Sequence, residues 1–204
     1  MMPSTPATAP ESSPSGRRGP GRPPRGTELP DRDAMLDAAE AVIGRVGHSA
    51  TLDEIAAEAG VTKPVLYDRV GGRTELADQL ADRMVARLIA HVTPGDLATT
   101  GWVRAVIAAT VGALQHEREL FLYVTHSHTP DASHRLGLAS RSAQPLVRLL
   151  LESGRVDDAQ VATAWAHAIV GMLNMAVLWS AESDMTNDAL IAALIDLAEN
   201  GVGT

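Results

Sequence analysis

The 204-residue chain has no cysteine, which removes disulfides, thiolate metal sites and thiol nucleophiles from consideration. It also lacks net positive charge. The formal charge at pH 7 is −8, the wrong overall sign for a chain that must approach phosphates. No strand-like alternation and no internal repeat runs along it. Gly-x-Ser-x-Gly, a P-loop, a dinucleotide-binding glycine pattern and His-Glu-x-x-His are all missing, so no catalytic chemistry has a motif behind it. The N-terminus is rich in Pro, Ser, Thr and Ala without the apolar core of a signal peptide, so a cytoplasmic protein is expected.

Charge is also absent from Ala159 to Ala181, 23 residues without Asp, Glu, Lys or Arg. That is long enough for a membrane span. The run is nevertheless rich in Ala, Thr and Gly, includes Gln160, His167 and Asn174, and is flanked by Asp157, Asp158, Glu182 and Asp184 instead of basic residues. It reads as a soluble helix that must be covered on most sides, by core on one and a second subunit on another.

What is present is helical periodicity. Residues 1–30 hold four Arg against two Glu and most of the prolines. With almost no apolar pattern to offset the entropy of ordering, they read as a flexible basic arm. From Asp31, the apolar positions Met35, Ala38, Ala39, Val42, Ile43 and Val46 recur at helical spacing, and Gly47 stops the run. Thr51-Leu52-Asp53-Glu54 is a capping box. It opens a short helix with Leu52, Ile55, Ala56 and Ala59 on one face, ended by Gly60. Thr62 can cap again, and Lys63 to Val70 forms the next helix, with Pro64 tolerated in its first turn. A longer helix from Thr74 to about His91 carries Leu76, Leu80, Met84, Leu88 and Val92. Thr93-Pro94-Gly95 breaks it, and further helices are expected over 98–116, 117–126, 131–153, 157–182 and 187–200. The fold class is therefore all-α, with about nine helices.

Two short helices joined by a tight glycine turn, followed by a longer one, form a helix-turn-helix whose second helix would enter the major groove. Gly47-His48-Ser49-Ala50-Thr51, Leu52-Asp53-Glu54-Ile55-Ala56, Ala59-Gly60-Val61-Thr62-Lys63, Leu66-Tyr67 and Arg73-Thr74-Glu75-Leu76 together resemble the TetR (tetracycline repressor) family. The resemblance implies an arm over 1–30, a DNA-binding domain over 31–73, and a ligand-binding and dimerisation domain over 74–204. It places Thr51 and Tyr67 against phosphate, Thr62 and Lys63 at the start of the recognition helix with Pro64, and Arg73 at the opening of helix four. Asp68 and Arg69 are the side chains best able to read cytosine and guanine edges. Val70 and Gly71-Gly72 depart from the family's usual aromatic and turn here, which implies a looser junction into helix four. In the arm, Gly21-Arg22-Pro23 resembles an AT-hook, with Arg22 and Arg25 available to a narrow minor groove.

The resemblance further implies a homodimer that binds double-stranded DNA and is released by a small-molecule effector, acting as a ligand-responsive repressor. The implied pocket draws on Met84, Leu88, Trp102, Phe121, Tyr123, His126, Trp165, His167, Met172 and Asn174. Aromatics and Met at helical spacing are also ordinary core residues, and His167 and Asn174 could equally make structural bonds. His126, His128 and His134 leave a helical enzyme as one alternative, and an architectural DNA-binding protein without effector is another. No cofactor or metal is expected: His126 and His128 cannot share a helix face, and no carboxylate stands at ligand spacing.

Overall fold

A computed structural model describes residues 29–90, 93–127 and 132–201 of the chain. Arg22, Arg25 and His128 lie outside them, as does the side chain of His134. The described residues form ten helices and no strand. They are α1 (Arg32–Val46), α2 (Leu52–Glu58), α3 (Lys63–Val70), α4 (Arg73–Ala90), α5 (Pro94–Ala98), α6 (Trp102–His116), α7 (Arg118–His126), α8 (Ala132–Glu152), α9 (Ala159–Ser180) and α10 (Asn187–Asn200). The tenth helix relative to expectation is α5. Thr93-Pro94-Gly95 reads as a break, yet Thr93 is an N-cap whose hydroxyl accepts the Asp96 N–H, while the Asp96 carboxylate accepts the Thr93 N–H at 2.8 Å. Proline just inside a helix start loses no ladder bond, so it begins this helix instead of ending one.

Three apolar clusters organise the chain. The first joins α1, α2, α3 and the first half of α4 through Met35, Val42, Ile43, Ile55, Leu66, Val70, Leu76 and Leu80. Leu120, Tyr123 and Val124 of α7 complete it. The second gathers Leu97, Trp102, Leu146, Leu150, Ala162 and Ala166 from α5, α6, α8 and α9. The third gathers Ile107, Val111, Phe121, Leu173, Val177, Leu190 and Leu194 from α6, α7, α9 and α10. Arginines on α4 tie it to its neighbours: Arg83 bonds Asp37 at 2.7 Å, and Arg87 bonds Glu40 of α1 at 3.0 Å and Glu117 at 2.9 Å.

α9 is the longest of the described helices, at 22 residues. Its length and mean hydropathy of 1.6 would suit a membrane span, but it lies along α8 and against α6, burying Ala162, Ala166, Leu173 and Val177. Only 22% of its most apolar stretch is buried within the subunit. Val161, Trp165, Met175 and Trp179 stay exposed, at positions that recur along one side of the helix.

Candidate nucleic-acid interface

The reading unit is built from caps and turns. The Glu54 carboxylate accepts both the Thr51 N–H and the Thr51 hydroxyl at 2.8 Å, and the hydroxyl oxygen accepts the Glu54 N–H at 3.3 Å. This is the capping box that the Thr-x-x-Glu spacing predicts. The backbone bond from Thr51, then the hydroxyl bond, hold the Glu54 carboxyl below its ordinary pKa. Past Ala59 the chain reverses at Gly60, whose φ of +69° an L side chain rarely adopts. The Val61 N–H then returns to Ala56 O at 2.9 Å.

α3 begins at Thr62, whose hydroxyl makes no capping bond. Leu66 and Val70 turn inward and are buried, while Lys63, Pro64, Tyr67, Asp68 and Arg69 are exposed. Tyr67 is 61% exposed, with its ring on the outward side of the helix. Asp68 and Arg69 form no ion pair with a described residue. Lys63 does: its Nζ lies 2.9 Å from Asp53 Oδ2, with both groups more than half exposed, a pair weak enough to open readily.

The junction between α3 and α4 is tight, contrary to the expectation from Gly71-Gly72. Gly71 has φ +81°, and a Cβ there would stand 2.6 Å from Glu75 Cβ. The Gly71 N–H donates to Tyr67 O, the Gly72 N–H donates to Glu75 Oε2 at 3.0 Å, and Gln79 Nε2 donates to Val70 O at 2.7 Å. Glycine is needed because Glu75 folds back over the turn. Glu75 and Gln79 organise this junction and were missed at the sequence level, although an acid three residues after Gly72 is half of a capping box.

Arg73 points away from the exposed face of α3. Its Nη1 donates to Ala50 O and its Nη2 to His48 O, both at 2.7 Å, and its guanidinium lies 4.3 Å from the centre of the Tyr123 ring. Burial raises the Tyr123 phenol pKa, with Arg73 pulling the other way. The ring is therefore a neutral platform at pH 7.

The pocket candidates are scattered. Phe121 sits in the third cluster, with Met84 and Met172 packed against it, and Leu88 is half-buried on α4. Trp102 belongs to the second cluster, where the Arg155 guanidinium covers its ring at 5.3 Å. Tyr123 is in the N-terminal core, and His126 is exposed and stacked on His48 at 5.1 Å between ring centres. Trp165 is on the surface. Thr163 O accepts from His167 Nδ1 at 2.8 Å, and Ser140 Oγ lies 3.2 Å from Nε2, so both ring nitrogens are satisfied within the α8–α9 pair. Asn174 is half-buried. A shallow open concavity on α9, lined by Ala159, Gln160, Thr163, Ala164 and His167, includes only His167 of the ten. No group of three His, Asp or Glu among the described residues could hold a metal.

Residues 35–80 match the family model described as bacterial regulatory proteins, tetR family. That stretch is a TetR-family segment. An HTH-type transcriptional regulator of Mycobacterium tuberculosis is 26% identical over 177 residues, which cover 82% of this chain and 75% of that one. The TetR-family repressor AlkX from Dietzia superposes with a TM-score of 0.60 at 20% identity, covering 84% of this chain and 95% of that one. FadR from Bacillus subtilis, solved with stearoyl-CoA, superposes with a TM-score of 0.56 at 18% identity, covering 84% and 99%. With this segment the chain is an all-helical transcriptional regulator over its described residues, and most of α1, all of α2 and α3, and the start of α4 lie within the span of the family model.

Proposed function

We propose that the protein is a cytoplasmic, ligand-responsive repressor that binds a palindromic operator as a homodimer. The observation that carries this reading is the outward face of α3. Thr62, Pro64, Tyr67, Asp68 and Arg69 project from a helix whose other side is anchored by buried Leu66 and Val70. Such a helix can enter a major groove, where Arg69 would pair with guanine and Asp68 would accept from cytosine N4. Tyr67 and the free Thr62 hydroxyl would meet phosphate oxygens. Thr51 would serve chiefly as the cap of α2, and Lys63 would reach phosphate by leaving Asp53.

The dimer would form through α9 and α10. Trp165, Met175, Trp179 and Leu197 are exposed there, an apolar surface that a second copy could bury. Two reading units would then lie about 34–36 Å apart, one duplex turn. The effector would be mainly apolar, because the cluster where α6, α7 and α9 meet, with Met84 of α4 packed against it, is built from Val103, Ile107, Phe121, Ile169 and Leu173. The stearoyl-CoA bound by FadR is a ligand of that character. Its binding would favour a spacing of the reading units other than the one DNA prefers, so each ligand would weaken the other.

The test is a nuclease footprint on the DNA upstream of its own gene, repeated over a salt series and with long-chain acyl compounds added. Two protected half-sites one turn apart, lost on acyl addition, are expected. Protection without sequence preference would indicate an architectural protein, and a monomer that protects nothing would end the regulator reading.

A further inference from the structure

Arg73 holds a place in the fold that its family position does not suggest. It is the first residue of α4, directly after the α3 turn, and it grips Ala50 O, the last carbonyl before the Thr51 cap of α2. One side chain therefore joins the two ends of the whole α2–α3 segment. The grip is seated on α7. Tyr123 lies under the guanidinium. One turn before it, Glu119 accepts the His48 N–H at 3.2 Å and stands 3.0 Å from where a Cβ on Gly47 would be, so glycine lets the 47–48 turn come close to this carboxylate. One turn after it, His126 stacks on His48, and the Thr74 hydroxyl donates to Ser127 O at 3.2 Å. Glu119, Tyr123 and His126 share one face of α7, and that face holds the start of the reading unit.

We infer that Arg73 is a positioning residue for DNA recognition, clasping the ends of the α2–α3 segment and seating them on the Glu119–Tyr123–His126 face of α7. This inference rests on the regulator reading above. It makes α7, from the C-terminal half of the chain, a direct determinant of how α3 is offered to the duplex. A flat guanidinium on an aromatic ring with two carbonyls at its edge is an arrangement that lysine cannot copy.

Salt dependence separates this role from a phosphate contact. Each phosphate neutralised steepens the slope of log K against log salt by about 0.9, so losing one contact per subunit makes a dimer's slope shallower by about 1.8. The experiment uses a fluorescent duplex selected from a random pool by the wild-type protein, titrated at several salt concentrations with Arg73→Lys, Arg73→Gln, Tyr123→Phe and Tyr123→Leu. Melting curves confirm that each variant is folded at the assay temperature. We expect Arg73→Lys, Arg73→Gln and Tyr123→Leu to weaken binding roughly 10- to 100-fold at every salt concentration with an unchanged slope. Tyr123→Phe should bind like wild type, because the ring remains. Combining Arg73→Gln with Tyr123→Leu should cost little more than either alone.

A shallower slope for Arg73→Gln, with Arg73→Lys close to wild type, would overturn the inference and make Arg73 a phosphate contact. The two Arg73 variants decide the matter even if Tyr123→Leu fails to fold. A wild-type protein that selects no duplex would overturn the regulator reading itself, a result distinct from either slope outcome.

Discussion

The N-terminal cluster and the two C-terminal clusters are made from similar aliphatic residues, yet they are finished to different degrees. In the first, Met35, Val42, Ile43, Ile55, Leu66, Leu76, Leu80 and Tyr123 are fully buried, and each turn between helices is closed by a specific bond or a positive-φ glycine. In the others, Ile89, Val103, Val106, Ile169 and Met172 are only half-buried, and Trp165, Met175 and Trp179 face outward. A reading head must hold one shape, and a single chain completes it. The remainder leaves apolar surface for something else to cover, as a dimer interface and an apolar effector site would.

The largest effect that would sharpen this contrast is a cavity in the finished core. Ile55→Ala, at a site with no exposure, should cost about 2–5 kcal/mol in urea unfolding. Ile169→Ala should cost less than half as much, because its half-buried side chain loses less. Equal losses would break the comparison. Next in size, Trp165→Glu combined with Trp179→Glu should keep the helix content seen by circular dichroism while converting the protein to a monomer in sedimentation. Buried aromatic anchors in interfaces are worth about 2 kcal/mol or more each. A dimer that survived both changes would place the interface elsewhere.

Glycines give smaller effects of opposite sign. Gly71→Ala, strained by its φ and by Glu75, should destabilise by about 1–3 kcal/mol. Gly44→Ala, in α1 with nothing within 4 Å of the new methyl, should stabilise by about 0.5–1 kcal/mol. Thermal melts of the two variants should move in opposite directions. The cap is of similar size to the smaller of these: Thr51→Ala should cost about 1 kcal/mol at neutral pH. Because the folded Glu54 pKa is lowered, the cap's ionic part is fully present above the unfolded carboxyl pKa and is lost as pH falls through the lowered folded value. The difference between Thr51→Ala and wild type should therefore shrink in acid.

Local chemistry was legible in the sequence, and tertiary register was not. The capping box at Thr51, the reversal at Gly60 and the inward pair Leu66 and Val70 follow from spacing alone. α5 was misread because Pro-Gly signals both a break and a helix start, and the deciding residue, Asp96, lies beyond the dipeptide. The grip of Arg73 has no signature at all, since its partners are backbone carbonyls. The family resemblance implies one pocket for Trp102, Tyr123 and Trp165, but Trp102 lies in the second cluster, Tyr123 in the first and Trp165 on the surface. A structural bond from His167 was one of two readings left open, and its partner could not be named because Ser140, which lies beside it, is on another helix.

The pairing of Lys63 with Asp53 has one more consequence for a regulator of net charge −8. The cation at the head of α3 carries its own counterion, so a phosphate that takes it must leave a bare carboxylate beside the duplex and displaces fewer salt ions in doing so. The cost is the same on every duplex, so it holds down adhesion to DNA in general and leaves the ratio between right and wrong sequences to the other contacts.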